Sequence, residues 1–382
     1  MTTATKRRAT FNTLEVSHVR KLTSDSVEVT FAVPEELVED YNYIPGQYVA
    51  LRATINHQEV RRSYSICAEP KPGELKVAIK RDFGGIFSTW ANESLTVGQK
   101  IDVMNPQGAF VSKTNLTSMN SPEKVAEEAG AKDGAHLVAF AAGSGITPII
   151  AIARSVLAAS DTATFDLVYA NKSALDVMFA EELGDLKDKY PTRLAIHHVL
   201  SREQRISPLM SGRIDQDKLF ELLDRVIHTD KTDEWFLCGP FELVQLCRDT
   251  LSERGVAEEK VRFELFTTGT PQKPAGQQGR QVEADPAGKN FIISFHLDGT
   301  SSRVESPVSA HETLLNAALR VRADVPFACA GGVCSTCRAK VIEGQTEMDE
   351  NYALEQEEVE AGYVLTCQSR ACSDNVVLDF DA

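Results

Sequence analysis

Three cysteines fall within nine residues in "CAGGVCSTC", Cys329 to Cys337, and a fourth, Cys367, follows in "YVLTCQSRA". The spacing is Cys329-x4-Cys334-x2-Cys337, then 29 intervening residues to Cys367. Four thiolates spaced this way are the donor set of a plant-type [2Fe–2S] centre. Three donors come from one loop and the fourth from a distant segment, which predicts a cluster buried on one side and near solvent on the other. Gly331 and Gly332 let the backbone wrap closely and aim N–H groups at sulfur. Structural zinc is the competing reading, but zinc sites pair C-x-x-C with a second short knuckle, and only Cys372 lies close to Cys367. A redox Cys-x-x-Cys pair would leave Cys329 and Cys367 without a role. Cys372 reads as structural, and Cys67 and Cys247 read as ordinary buried thiols.

A centre that moves one electron at a time needs a donor elsewhere in the chain. "RRSYS" carries Arg62, Tyr64 and Ser65 on a predicted strand, and "GGIFSTW" follows with Gly84 and Gly85 ahead of Ser88. Two bare glycine N–H groups in a loop can cradle a pyrophosphate. "AAGSGITP" ends a continuous apolar run and opens a helical one. Gly143 and Gly145 permit a tight turn there, and the helix start at Thr147 and Pro148 offers N–H groups to an anion. Pro148 stands where the dinucleotide fingerprint has its third glycine. "LCGP" places Cys238, Gly239 and Pro240 at another strand end, and "HHVLSREQ" places Ser201 and Arg202 at a third. An acidic residue at that third strand end would bind ribose hydroxyls, and Glu203 lies next door. Each run, taken alone, also fits a plain turn or a half-buried strand. His197 and His198 read as one inward and one outward strand side chain.

The elements needed to hold these residues can be read in order. Residues 9–113 contain short alternating or β-branched runs such as "DSVEVTFAV", "QYVALRATI" and "ELKVAIKR", broken by Gly/Pro turns, which predicts a small antiparallel barrel. Residues 134–268 alternate buried-strand runs ("HLVAFAAG", "TFDLVYA", "EWFLCG") with helical ones ("GITPIIAIARSVLAAS", "ALDVMFAEELGDLKDKY"), the pattern of a doubly wound parallel sheet. Residues 113–133 are polar and read as a surface connection; 269–288, rich in Gly, Pro and Gln, read as a linker. Residues 289–382 are expected to form an α+β domain, with a helix opened by Ser309 and Glu312 in capping-box spacing. The fold class is therefore multidomain.

Bulk properties narrow the function. The chain has 382 residues, two to four domains' worth, and a formal net charge of −15. Nucleic acid is excluded, because that affinity needs clustered Lys and Arg, and an anionic membrane surface is disfavoured for the same reason. "MTTATKRRAT" has no apolar core and reads as no secretory signal. The longest apolar run is too short for a membrane span, and a reducing cytoplasm is the simplest expected home. From Val341 to Ala382 there are eleven acidic residues against one basic one, Arg370. That face is either merely solvated or steers a basic patch of an acceptor.

On "RRSYSIC", "PQGAF", "AAGSGITP", "LCGP" and "CAGGVCSTC" the chain resembles the ferredoxin–NADP reductase superfamily with a C-terminal plant-type ferredoxin domain. The resemblance implies a flavin barrel, a nucleotide domain and a β-grasp ferredoxin domain, with FAD, NADPH and the [2Fe–2S] cluster as cofactors. It implies that Arg62 binds the flavin pyrophosphate, Tyr64 packs on the isoalloxazine and Ser65 lies near flavin N5, with Gly84, Gly85 and Ser88 as the phosphate loop. It further implies that Gly143, Gly145, Thr147 and Pro148 hold the nicotinamide nucleotide, Ser201 and Arg202 its 2′-phosphate, and Cys238, Gly239 and Pro240 its ring. Its partners would be oxygenase components of a multicomponent monooxygenase. The closing "NYALEQEEVEAGYVLTCQS…VVLDFDA" is similar to the reductase subunits of phenylacetyl-CoA epoxidases, with ring-hydroxylating dioxygenases and hybrid-cluster proteins as other acceptors the superfamily serves. A zinc-containing interaction protein and an acceptor-less redox sensor are the readings from other classes.

Overall fold

The computed structural model describes residues 10–112, 134–227, 229–266, 281–282, 288–297, 299–322, 325–327, 331–332, 335–351, 353–354 and 356–382. The connection at 113–133 lies outside them, as does all of the expected linker except 281, 282 and 288. The described residues fall into two compact units. One takes in the residues up to Phe11, Ala50–Ser63 and those from Thr267 on; the other comprises Asn12–Val49 and Tyr64–Phe266.

Six strands form the first sheet: β1 (Phe11–Thr23), β2 (Ser26–Ala32), β3 (Tyr48–Ile55), β4 (Gln58–Ser65), β5 (Glu74–Lys80) and β6 (Lys100–Met104). Their order is β4-β3-β6-β1-β2-β5, and β1 and β5 both run antiparallel to β2. An antiparallel bridge between Ile66 and Val77, with Cys67 N–H donating to Lys76 O at 3.0 Å, ties the residues just past β4 to β5. The two ends of the sheet thus meet, and it closes as a barrel, the arrangement that abolishes sheet edges. A helix, α1 (Ile86–Glu93), follows β5.

The second sheet holds β7 (His136–Ala142), β8 (Thr164–Asn171), β9 (Leu194–Leu200), β10 (Glu234–Gly239) and β11 (Val261–Leu265) in the order β11-β10-β7-β8-β9. All four pairings are parallel. Every residue of β10 is buried, as a central strand covered on both faces requires. The helices are α2 (Ile146–Ala159), α3 (Ala180–Lys189), α4 (Gln216–Arg225) and α5 (Phe241–Glu253). Strand order reverses between β7 and β10, the switch point where doubly wound sheets bind ligands. The helix expected over 174–190 is broken. Ala174–Asp176 form a 3-10 turn, Val177 leaves it extended, and Phe179 turns left-handed at φ 59° before α3 begins.

The third sheet is mixed: β12 (Asn290–Leu297), β13 (Thr300–Pro307), β14 (Arg338–Glu343), β16 (Tyr363–Leu365) and β18 (Asn375–Asp379), ordered β13-β12-β18-β14-β16. β12 and β18 run parallel, whereas β12/β13, β14/β18 and β14/β16 are antiparallel. β15 (Thr346–Met348) and β17 (Ser369–Ala371) form a separate pair. The fully buried α6 (Leu314–Leu319) completes the β-grasp, and a short α7 (Gln356–Glu360) precedes β16. The expected capping box at Ser309 and Glu312 is not formed. Ser309 sits in a 3-10 turn, the α6 cap is Thr313, whose Oγ1 accepts from Asn316 N–H at 3.2 Å, and Glu312 is buried in an ion pair with Arg320 at 2.5 Å. Among the described residues no helix is long and apolar enough to cross a membrane.

Candidate cofactor and electron-transfer site

The flavin candidates sit on β4 and the turn after β5. Ser65 is 3% exposed, and the Tyr64 ring leans on fully buried Phe87, centroids 5.6 Å apart. Arg62 is half-buried and donates to Arg61 O at 2.6 Å. Ser63 was not foreseen: its Oγ is buried on the same strand and meets no polar partner among the described residues. Gly84 has φ +72° and open space around its Cα, so its backbone is free toward a ligand in a conformation side chains avoid. The turn is not the loop expected around Ser88, because Gly85 caps α1 and Ser88 lies inside that helix. Ser88 Oγ accepts from Asp82 N–H at 3.0 Å and donates to Gly85 O at 3.4 Å, closing the turn on itself. An orphaned hydroxyl, a ring braced from behind and bare N–H groups at a helix start fit a flavin with its pyrophosphate.

At the switch point the glycines divide their tasks. Gly145 faces protein: a Cβ there would stand 2.1 Å from Cys238 O, so the turn after β7 packs directly on the end of β10. Gly143, at φ +54°, meets nothing within 4 Å, and its carbonyl is held by the hydroxyl of buried Tyr169 at 2.9 Å. Thr147 and Pro148 are buried in the first turn of α2, and the Thr147 hydroxyl returns to Ser144 O at 3.0 Å. Proline is tolerated there because first-turn N–H groups have no helical partner. Gly239 is buried at the end of β10, and Pro240 caps α5.

Cys238 is fully buried, and burial pushes its thiol well above the usual range. Its Sγ lies 4.0 Å from Glu264 Oε2, and the same oxygen accepts from Ser65 Oγ at 3.0 Å. Desolvation pushes the Glu264 carboxyl up to about 7, against the lowering effect of the Ser65 bond. Sequence reasoning missed both Tyr169 and Glu264. The available signal for Glu264 was one acid inside the short strand run "VRFEL". Ser65, Cys238 and Glu264 thus form one cluster in which a proton can sit on the carboxyl and pass through the serine hydroxyl.

At the end of β9, Ser201 and Arg202 bond through their backbones to Asn171 O at 2.9 Å and Lys172 O at 2.7 Å. Arg202 is exposed, and Glu203 Oε1 accepts from Ala174 N–H at 2.6 Å. His197 and His198, consecutive on β9 and so on opposite faces of the sheet, are both partly buried, and burial lowers both pKa values.

Of the expected iron ligands, Cys329 and Cys334 lie outside the described residues. Cys337 and Cys367 are 2% and 5% exposed. Thr366, beside Cys367, donates to Cys337 O through its N–H at 3.2 Å and its hydroxyl at 2.8 Å. Gln368 Nε2 approaches Cys367 Sγ at 3.7 Å, an amide donor aimed at sulfur. A Cβ at Gly332 would stand 3.0 Å from Gln368 Cγ. Buried thiols, a donor on one sulfur and a side-chain-free turn packed beside it fit an iron–sulfur cluster. Cys67 and Cys247 are buried, as expected, while Cys372 is exposed.

Comparison with known proteins agrees with this geometry. Residues 13–111 match an oxidoreductase FAD-binding domain, 140–249 an oxidoreductase NAD-binding domain and 295–372 a 2Fe-2S iron-sulfur cluster binding domain. The fold and the site therefore define a flavin- and iron–sulfur-dependent oxidoreductase. The chain is 39% identical over 373 residues, 98% of each chain, to one of the subunits of the 1,2-phenylacetyl-CoA epoxidase of Escherichia coli (strain K12). It is 32% identical over 96% of each chain to the ferredoxin reductase component of a 3-ketosteroid-9-alpha-monooxygenase of Rhodococcus rhodochrous. Phthalate dioxygenase reductase, 22% identical, shares the fold with a TM-score of 0.55 over 97% of this chain and 98% of that one. The chain belongs to the ferredoxin–NADP reductase superfamily, in the group carrying a C-terminal plant-type [2Fe–2S] domain.

Proposed function

We propose that this chain is an NADPH-dependent reductase that passes electrons from NADPH through FAD and the [2Fe–2S] cluster to the oxygenase component of a multicomponent diiron monooxygenase, and that the acceptor is a phenylacetyl-CoA epoxidase of phenylacetate degradation. The observation that carries it is the cluster of Ser65, Cys238 and Glu264 at the switch point of the nucleotide sheet. The end-to-end similarity to a phenylacetyl-CoA epoxidase subunit supports the acceptor. In this reading the domains run 9–113, 134–268 and 289–382, with 269–288 as linker. Exposed Glu343, Glu347, Glu350, Glu357 and Glu360 offer the acidic face to a basic patch of the acceptor. Mixing the reduced protein with the epoxidase oxygenase subunits and phenylacetyl-CoA should give product that depends on both NADPH and oxygen. Product from a dioxygenase system, and none from this one, would reassign the acceptor.

When bound, FAD accepts both electrons of a hydride and the cluster hands them on singly. The chain's own residues set the geometry. Arg62 with the Gly84–Gly85 turn and Ser88 holds the flavin pyrophosphate, Tyr64 covers the ring, and Ser65 presents its hydroxyl. Gly143, Gly145, Thr147 and Pro148 seat the nicotinamide nucleotide, and Cys238, Gly239 and Pro240 border its ring. Cys329, Cys334, Cys337 and Cys367 hold the irons.

Glu264 is neutral below about pH 7 and ionised above it. Only the ionised carboxylate can accept a proton relayed by Ser65 Oγ, which takes up one proton as it hands one on. Turnover with a one-electron acceptor should therefore rise between pH 6 and pH 8. Glu264→Gln should flatten that profile and lower the plateau by roughly 10²-fold or more, the span general acid–base groups contribute. A Glu264→Gln enzyme with the same pH profile as the native one would remove the carboxyl from the proton path.

NADPH is preferred over NADH because Glu203, the acid that could bind ribose hydroxyls, is committed to Ala174 N–H, leaving Ser201 and Arg202 to a 2′-phosphate. Arg202→Ala should cut kcat/KM for NADPH by roughly ten- to a hundredfold, the worth of a charge-assisted hydrogen bond, and leave NADH nearly unchanged. Steady-state kinetics with both nucleotides decide it, and an equal loss for both would reject the assignment.

A further inference from the structure

Arg61 is 6% exposed, a burial that a guanidinium tolerates only when its charge and N–H groups are matched. Its Nε donates to Glu59 Oε1 at 2.7 Å and its Nη1 to the backbone O of Val325 at 3.0 Å. Its guanidinium carbon stands 5.7 Å from the ring centroid of Phe327 and 5.8 Å from that of Phe11, within cation–π range. Val325 is fully buried. Arg61 directly precedes Arg62 on β4, while Val325 and Phe327 lie four and two residues before Cys329. One buried cation therefore joins the strand that carries the flavin candidates to the segment that leads into the cysteine loop.

We propose that Arg61 is a positioning residue for internal electron transfer, fixing on β4 the Val325–Phe327 segment that leads into the cysteine loop; this rests on the electron path proposed above. A hydride brings two electrons and the cluster takes one at a time, so each turnover crosses this junction twice. Transfer rates fall steeply with separation, and a lost tether shows in that step and not in hydride uptake.

The test is rapid mixing of the holoprotein with NADPH, following flavin and cluster absorbance separately, together with hydrogen exchange on the peptide spanning Val325–Phe327. In Arg61→Ala, flavin content and flavin reduction should stay within about twofold of the native protein, cluster reduction should slow by roughly tenfold or more, and exchange at 325–327 should rise. Arg61→Lys, which keeps the charge but loses the fork, should fall between the two. Unchanged cluster reduction in Arg61→Ala would overturn the proposal, as would equal slowing of both steps, which would make Arg61 a barrel-supporting residue. If Arg61→Ala does not accumulate as folded protein, Glu59→Gln serves instead: it loosens the ion pair, leaves the Val325 bond, and should slow cluster reduction alone. A native protein whose flavin reduces while its cluster stays oxidised would refute the electron path itself, and the exchange data would still judge the tether.

Discussion

Gly145→Ala protein should reduce its flavin with NADPH roughly a hundredfold more slowly than the native protein, the loss that a misplacement of about 1 Å can cause. The new Cβ would stand 2.1 Å from Cys238 O, 2.5 Å from Cys238 C and 2.9 Å from Gly239 N. All three are backbone atoms of a strand paired on both sides, so none can swing away as a side chain would. Either β7 and its turn retreat, or the end of β10 does, and Cys238 leaves Glu264 with it. Overpacking of this kind costs about 1–3 kcal/mol, which for a domain of this size lowers Tm by roughly 2–4 °C per kcal/mol. Gly143→Ala is the comparison. It has open space and only its φ of +54° to strain, so about 1 kcal/mol of backbone cost is expected. Stopped-flow flavin bleaching and thermal melts on both variants provide the check. A Gly145→Ala protein that melts and reacts like the native one would show that the turn and the strand end are not in contact.

Cys367→Ala should separate the two halves of the electron path. In the proposed electron path cytochrome c draws on the cluster, so its reduction should fall by roughly a hundredfold or more with one of the four proposed sulfur donors gone. Ferricyanide, which takes electrons from the flavin, should still be reduced at close to the native rate. Iron content should fall in parallel, while Cys372→Ala, an exposed thiol outside the donor set, should leave both activities intact. Iron analysis and the two acceptor assays on the same preparations measure all of this. Full iron content in Cys367→Ala would reassign the fourth ligand, and zinc in the native protein would reject the cluster.

Much of this was legible in the sequence because each signal was local. The parallel sheet showed in apolar runs such as "HLVAFAAG" and "EWFLCG", and the 2Fe-2S domain in the spacing of its cysteines. What escaped depends on distance through space. Glu264 matters because Ser65, 199 residues away in the chain, donates to it, and no local pattern announces that pairing. Tyr169 looked like one more aromatic in a buried strand, yet its hydroxyl holds Gly143. Two glycines ahead of Ser88 suggest a loop, but Gly85 caps α1 and the segment after it buries Phe87, Ser88 and Ala91, so packing more than propensity makes it helical. The capping box failed for a related reason: Glu312 is consumed by Arg320, and the helix starts just beyond it at Leu314, capped by Thr313.

The bonds between Thr366 and Cys337 extend the ladder of β14 and β16, which pair with Arg338 opposite Leu365. The separation of the last two expected donors is therefore a property of sheet register, and a slip of one residue between those strands would turn Cys367 away from Cys337.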